Sequence, residues 1–188
     1  MALLHHATLT PSKPDLLAAW LPSQPWATGI SGLKPFGAYR FDDPDGEVGI
    51  EAILLRGDAG EVLHVPLTYR AAPLDGAEDF LVGTTEHSAL GTRWVYDATG
   101  DPVWRTTLAA TVLTGGTGAA EYFEENGVRE TREPSVQVAG SGAIGGEVPA
   151  DTEILLVRRV GDEVEGDAVL AGSWDGGSGV LAAVRVVG

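Results

Sequence analysis

The stretch that decides the fold runs from residue 36 to residue 70 and reads FGAYRFDDPDGEVGIEAILLRGDAGEVLHVPLTYR. It contains three strand-like pieces, which are separated by DPDG at 43–46 and by GDAG at 57–60. Asp, Pro and Gly favour tight turns because they supply backbone geometries that other residues avoid. Strands joined by such short connections pair antiparallel. We therefore predict an antiparallel sheet at the centre of the fold.

Two further strands and a helix extend this sheet. DFLVGTTEH at 79–87 and RWVYDA at 93–98 are predicted as strands. Before the sheet, SKPDLLAAWLP at 12–22 predicts a short helix that has Ser12 as its N-cap and one apolar face. A sheet curled around this helix covers the apolar surfaces of both. The sequence therefore predicts an α+β fold in which a curved antiparallel sheet wraps around an N-terminal helix.

A second helix is predicted after the sheet. Asp101 is the expected N-cap, Pro102 suits the first helical position, and Gly115 is the expected stop. We expect residues 1–115 to form the α+β domain. Residues 116–188 are expected to form a β-rich subdomain that packs on this domain as a single compact unit.

The predicted β-rich part begins with a small hairpin at 120–134, followed by a Gly-rich loop at 135–152. Three strands are then expected, in ILLVRRV, DAVLAGSW and GVLAAVRVV. At the other end of the chain, LLHHATLT at 3–10 alternates loosely and predicts an edge strand.

Composition excludes several classes of function. The 188 residues carry a formal net charge of −15 and no cysteine, and the only lysines are Lys13 and Lys34. The missing cysteines exclude disulfides, thiolate metal sites and a cysteine nucleophile. The negative field opposes binding to nucleic acids and to anionic membranes. Neither a secretory signal nor an apolar run of membrane-spanning length is evident, so we expect a cytoplasmic protein.

Glycine and acidic motifs suggest nucleotide or calcium binding only superficially. GSGAIG at 140–145 matches the dinucleotide pattern G-x-G-x-x-G, but a strand follows it where a phosphate-binding helix is needed. A kinase glycine-rich loop fits that setting better, although the next strand lacks the required lysine. DDPDGE at 42–47 is out of phase with a calcium loop. We interpret the first motif as an inter-strand loop and the second as a hairpin turn.

The histidines do not predict a metal site. His5 and His6 are adjacent, so on a strand they would point to opposite faces. His64 and His87 are isolated from the other histidines in the sequence. His87 and the following Ser88 also lack the G-x-S-x-G elbow of a serine hydrolase. We therefore expect no metal, no cofactor and no catalytic residue.

Several motifs together resemble a known family. HVPLTYR, the pair GTTEHSALGTRWVYD and the helix start DPV are similar to the N-terminal cap of actinobacterial maltokinases. LLAAWLPSQPWATG is similar to the opening helix of that family and the aromatic turn after it. The resemblance covers roughly residues 10–115.

The resemblance implies a cystatin-like fold, in which a curved sheet grips a helix. It also implies a role in trehalose and α-glucan metabolism, because maltokinases make maltose 1-phosphate from maltose and ATP. The phosphoryl-transfer residues of such kinases lie beyond the cap. The residues after the cap contain neither lysine nor histidine here, so we expect a stand-alone cap without its kinase domain.

Two hypotheses of function arise from the sequence. The first is a non-catalytic module that binds a protein partner or a saccharide of trehalose or α-glucan metabolism. The second is a small-molecule-binding protein or small enzyme with a pocket between the sheet and the C-terminal subdomain. The candidate binding residues are Trp26, Tyr69, Arg70, His87 and Asp97. A homodimer is also predicted, because an unpaired sheet edge invites pairing.

Overall fold

The computed structural model describes residues 2–4, 8–125, 128–143, 145 and 148–187. The two α-helices in these residues are α1 (Lys13–Trp20) and α2 (Pro102–Thr114). The strands, in chain order, are β1 (Ala2–Leu4), β2 (Leu9–Thr10), β3 (Lys34–Phe41), β4 (Gly49–Arg56), β5 (Val62–Arg70), β6 (Leu81–His87), β7 (Gly91–Asp97), β8 (Glu121–Glu125), β9 (Val128–Arg132), β10 (Val136–Gly140), β11 (Thr152–Leu156), β12 (Ala168–Trp174) and β13 (Gly177–Val186).

The predicted antiparallel sheet is confirmed as a six-stranded sheet in the order β2-β6-β7-β5-β4-β3, here called the large sheet. Its centre is the stretch quoted above: Ile53 of β4 lies between Ala38 of β3 and Val65 of β5. The first turn is held by Asp43, whose carboxylate accepts backbone hydrogen bonds from Glu47 and Val48 at 2.9 and 2.8 Å. The acidic motif there is therefore a hairpin turn.

Helix α1 packs on one face of the large sheet, as predicted. Ser12 and Asp15 form a capping box, in which each side chain contacts the backbone N–H of the other residue. Leu16 and Leu17 are buried against strand residues such as Leu63. Burial of these apolar side chains is the main force that fixes a helix of only eight residues on the sheet.

Helix α2 begins and ends as the sequence predicts. The Asp101 carboxylate accepts a hydrogen bond from the backbone N–H of Val103 at 3.0 Å, and Gly115 ends the helix with φ of +72°. The apolar stripe of the helix, which includes the buried Trp104 and Leu108, faces the side of the large sheet opposite to α1. Both faces of the large sheet are therefore covered.

The C-terminal sheet, ordered β10-β12-β13-β11, packs on the same core as α2. Strands β11, β12 and β13 confirm the three strands predicted for this part of the sequence. Strand β10 was predicted as loop, and that prediction is wrong. Val136 and Val138 alternate with the exposed Gln137 and Ala139, so the strand has one buried face. The surrounding glycines and serines are typical of loops, so this short alternation was not recognised in the sequence. The strand depends on packing against α2 and β12, which the sequence does not show.

A small sheet, ordered β1-β8-β9, contains the predicted hairpin of β8 and β9. The turn residues Asn126 and Gly127 lie outside the described residues. Strand β1 pairs parallel to β8, whereas β2 belongs to the large sheet. The single edge strand predicted at 3–10 is therefore two short strands in different sheets, and His5 and His6 between them lie outside the described residues.

The segment 157–160, which comes directly after β11, joins the two larger sheets. The backbone N–H of His64 donates to the carbonyl oxygen of Arg158, and that of Val160 donates to the carbonyl oxygen of Val62, both at 2.9 Å. Strand β7 pairs only with Leu67–Arg70, the other half of β5. The segment thus occupies the part of the β5 edge that β7 leaves open.

Candidate binding sites

A buried carboxylate, that of Glu51 on β4, gathers polar side chains from three other elements. It is only 5% exposed. Lys13 of α1 and Arg40 of β3 form ion pairs with it at 2.5 and 2.6 Å, and the Tyr69 hydroxyl donates a hydrogen bond at 2.9 Å. We call these four residues the Glu51 cluster. It accounts for Tyr69, one of the predicted binding residues, as a partner of a buried carboxylate.

The electrostatics of the Glu51 cluster favour a fixed charge pattern. Burial alone would raise the pKa of Glu51, but the positive charges of Lys13 and Arg40 outweigh burial and leave this pKa below its ordinary value. Burial, together with the neighbouring carboxylate, raises the pKa of Tyr69. An ionised Glu51 and a neutral Tyr69 therefore tie α1 to the sheet, and neither is poised to exchange protons near neutral pH.

Two other predicted binding residues, Trp26 and Asp97, meet at Arg158. The guanidinium carbon of Arg158 lies 4.5 Å from the centroid of a Trp26 ring, and an Nη atom forms an ion pair with Asp97. Arg159 donates to the carbonyl oxygens of Trp26 and Thr28 at 2.8 and 2.6 Å. Sequence reasoning missed both arginines, because their partners are more than 60 residues away along the chain. They connect the loop after α1 to the C-terminal part of the chain.

Arg70 is paired with the start of α2. Its Nε and one Nη atom donate to the two carboxylate oxygens of Asp101, each at 2.7 Å. Asp101 is fully buried, and burial alone would raise its pKa. Hydrogen bonds, above all from Arg70 and also from Thr68 and the Val103 backbone, together with the charge of Arg70, outweigh that effect and leave the pKa of Asp101 below its ordinary value. The predicted binding residue Arg70 therefore fixes a helix cap to β5.

His87 and Ser88 shape the turn between β6 and β7. The His87 Nδ1 accepts hydrogen bonds from the backbone N–H groups of Ala89 and Leu90 at 3.2 Å. The Ser88 hydroxyl accepts one from the backbone N–H of Thr8 at 3.0 Å. These contacts stabilise a tight turn and hold the N-terminal segment against it, which explains a polar run that could suggest a nucleophile and a base.

The five predicted binding residues do not converge on one site. His87 lies opposite Gly91 at the first residue of β7, whereas Asp97 is the last residue of that strand. Six residues of extended strand separate these positions by about 20 Å. Trp26 and Asp97 share Arg158, while Tyr69 and Arg70 have separate carboxylate partners.

The structure also contains a buried pair formed by His64 and Tyr39, which the sequence analysis did not single out as a site. His64 of β5 is fully buried, and its Nε2 lies 2.8 Å from the Tyr39 hydroxyl. Its Nδ1 lies 3.2 Å from the carbonyl oxygen of Val157. A carbonyl can only accept, so Nδ1 carries the proton and Nε2 accepts from Tyr39. Burial, helped by the charge of Arg158, lowers the pKa of His64 to about 3.

The glycine motif at 140–145 has a packing explanation. A Cβ on Gly140 would lie 2.2 Å from the carbonyl oxygen of Thr111, and one on Gly142 would lie 2.1 Å from that of Leu113. The backbone N–H of Gly142 also donates to the carbonyl oxygen of Val112 at 2.9 Å. The first two glycines of the motif therefore allow the chain to pass directly against the end of α2. Ile144 lies outside the described residues.

The surface clefts in the described part of the chain include an apolar one and a polar one. The apolar cleft, of about 460 Å³, lies between α1 and the loop that follows it and is lined mainly by Leu, Pro, Ala and Ile. The polar cleft, of about 630 Å³, lies on the outer face of the C-terminal sheet between residues 117–121 and 131–134. None of the five predicted binding residues lines either cleft.

The polar cleft brings together side chains that were not predicted to be functional. Its lining residues include Thr131, Ser173, Ser178, Gln137 and Glu121. These residues come from β8 to β13 and share no motif, so only the sheet topology could have identified them. Among the described residues, we find no group of three metal-ligating side chains, and no helix there has the length and apolarity of a membrane span.

Comparison with protein families confirms the resemblance and narrows its extent. The model of the maltokinase N-terminal cap domain matches residues 20–101. This range contains strands β3 to β7 and ends at the N-cap of α2, so it is narrower than the 10–115 expected from sequence and leaves out nearly all of α1. No curated protein matches the chain.

Proposed function

We propose that this chain is a cytoplasmic, non-catalytic binding module of trehalose and α-glucan metabolism, because residues 20–101 match the model of the maltokinase N-terminal cap domain. Its ligand is a saccharide or a protein partner of that metabolism. One observation carries the non-catalytic part of the proposal: three of the candidate binding residues in the matched region are paired with other side chains of the protein. Tyr69 donates a hydrogen bond to Glu51, Arg70 forms an ion pair with Asp101, and Asp97 forms an ion pair with Arg158.

Phosphoryl transfer makes demands that these residues do not meet. A kinase needs a lysine that reaches the phosphates and an aspartate that accepts the proton of the substrate hydroxyl. Of the two lysines, Lys13 is paired with the buried Glu51, and Lys34 is the first residue of β3. Asp97 is tied to Arg158 and accepts hydrogen bonds from Thr99 at 3.1 and 2.9 Å. The contacts of Lys13 and Asp97 support a structural role for both of these residues.

The first experiment tests for catalysis. The purified chain is incubated with labelled ATP, magnesium and maltose, and the products are separated by chromatography. We expect no labelled maltose phosphate above a control without protein. Transfer that scales with protein concentration would contradict the non-catalytic proposal.

The second experiment tests for binding. Calorimetry with maltose, trehalose and glycogen is combined with affinity capture from the source cells, in which an unrelated protein of similar negative charge serves as control bait. We expect either a saccharide that binds at micromolar to millimolar concentration or a captured enzyme of trehalose or α-glucan metabolism. A captured enzyme must also bind again as a purified protein. If neither is found, the binding proposal fails.

A further inference from the structure

We propose that the polar cleft binds an uncharged, hydroxyl-rich ligand of the oligosaccharide class. This inference rests on the proposed function, because it assigns the saccharide alternative to a definite site. The cleft has a volume of about 630 Å³, which lies within the range of small-molecule sites. It lies on the outer face of the C-terminal sheet, beyond the residues that match the cap family.

The floor of the cleft is a row of polar side chains across three strands. Gln137 of β10 lies opposite Ser173 of β12, and Ser173 lies opposite Ser178 of β13. All three are exposed, and adjacent strands are about 4.8 Å apart, so the row spans about 10 Å. The Gln137 Nε2 already donates one hydrogen bond to the Glu133 carboxylate, at 3.1 Å. Hydroxyl and amide groups both donate and accept hydrogen bonds. Such a row can pair with hydroxyls spread along a ligand of two or more sugar rings.

A second row gives the cleft its depth. Ala139 of β10 lies opposite Ala171 of β12, and both are exposed next to the polar row. Their methyl groups leave space where larger side chains would fill the cleft. They also offer a small apolar surface, which suits the C–H faces of a sugar ring. The floor therefore alternates a hydrogen-bonding strip with a shallow apolar one.

The wall of the cleft includes an acidic residue, Glu121. Glu121 is only 6% exposed, yet it lines the cleft. Its carboxylate forms an ion pair with Arg40 at 3.6 Å, and Arg40 also pairs with Glu51, so this carboxylate lies beside the Glu51 cluster. Burial raises the pKa of Glu121 above its ordinary value. Because Arg40 offsets its charge from within the protein, Glu121 adds an acidic group to the wall rather than an unsatisfied one.

The charge of the molecule selects against anionic ligands. Glu121 and Glu133 line the cleft together with one cation, Arg132, and the whole chain carries a formal net charge of −15. Nucleotides and sugar phosphates are therefore repelled, whereas neutral saccharides are not. The lining residues include no aromatic ring on which a sugar could stack. We accordingly expect binding that depends on several hydrogen bonds and is weak for a single sugar ring.

The test fills the cleft and measures saccharide binding. Calorimetric titrations with maltose, maltotetraose and trehalose use the wild type, Ala171→Trp, and the control Thr84→Trp, which alters an exposed position of β6 outside both clefts. We expect maltotetraose to bind the wild type and the control equally, and Ala171→Trp to weaken binding about tenfold or more because its ring occupies the ligand space. Glucose 1-phosphate is expected to bind none of them.

A second variant keeps the test informative if Ala171→Trp folds poorly, which thermal unfolding would reveal. Gln137→Ala removes an exposed amide from the polar row and is expected to weaken binding several-fold, to an extent set by one lost hydrogen bond. Wild-type affinity in both folded variants would show that saccharide binds elsewhere. That result would overturn the assignment of the binding site to the polar cleft, but not the proposal that the chain is a binding module. If no saccharide binds the wild type but a partner enzyme is captured, the cleft inference fails and the proposed function stands.

Discussion

The buried His64 allows a quantitative prediction about acid stability. Its ring donates to the Val157 carbonyl oxygen and accepts from the Tyr39 hydroxyl, so both ring nitrogens are used by the neutral form. A second proton on the ring would turn Nε2 into a donor, so it could no longer accept the hydrogen bond from the Tyr39 hydroxyl. It would also place a positive charge near Arg158, whose charge already lowers the pKa of His64. The folded protein therefore resists protonation, whereas the unfolded chain does not.

The magnitude comes from proton linkage. The pKa of His64 is 6.5 for an ordinary histidine and about 3 in the folded protein. Between these two values the unfolded state binds one proton more than the folded state, so the free energy of unfolding falls as the pH falls. Each pH unit in that window costs about 1.4 kcal/mol, which amounts to about 2 kcal/mol at pH 5 compared with pH 8.

Urea unfolding of the wild type, His64→Gln and His87→Gln measures this directly. Glutamine keeps a polar side chain but does not titrate, so we expect His64→Gln to be less stable near pH 8 and to lose about 2 kcal/mol less than the wild type down to pH 5. The control His87→Gln shows how much of the pH dependence of the unfolding free energy comes from His87, the other histidine among the described residues. Parallel curves for the wild type and His64→Gln would refute the assignment of a neutral, buried histidine.

Two further predictions concern packing and the buried ion pair. Arg158→Met leaves Asp97 buried without its cation and should lower the free energy of unfolding by about 3 kcal/mol, and the double variant with Asp97→Asn should recover part of that loss. Equal stability of the single variant and the wild type in urea would contradict this. Gly142→Ala should cost about 2 kcal/mol or more because its Cβ meets the Leu113 carbonyl, whereas Gly145→Ala, with open space around it, should cost less than about 0.5 kcal/mol. Similar melting temperatures for the two alanine variants would show that Gly142 is not constrained.

Local signals were sufficient for most of the fold. Asp101, Pro102 and Gly115 set the limits of α2 through chemistry within a few residues, and the hairpin turns are encoded in the same way. The order of strands was less accessible. Strand β7 lies between β5 and β6, so one strand departs from a simple meander, and this depends on which apolar faces meet in space. Strand β10 was missed for a related reason, because its partners lie 30 or more residues away.

The polar residues show the same division between local and distant information. The roles of Asp43 at its turn and Ser12 at its cap can be deduced from their near neighbours, and the structure confirms both. Tyr69, Arg70 and Asp97 were named from the sequence as candidate binding residues, but their partners could not be deduced. A carboxylate and a cation separated by tens of residues show no spacing pattern. Sequence reasoning could therefore flag these side chains as important without separating structural pairs from ligand contacts.

The segment 157–160 shows how closely the cap-like region depends on the C-terminal part of the chain. This segment satisfies the backbone of Val62 and His64, accepts the His64 ring proton through Val157, and places Arg158 between Trp26 and Asp97. Without it, the N-terminal half of β5 would present an open edge, and a buried histidine and a buried aspartate would lose their partners. Strand β11, which leads into the segment, is paired with β13, so displacing one sheet strains the other. We therefore expect the large sheet and the C-terminal sheet to unfold in one transition, because the contacts that complete the first are made by a chain segment anchored in the second.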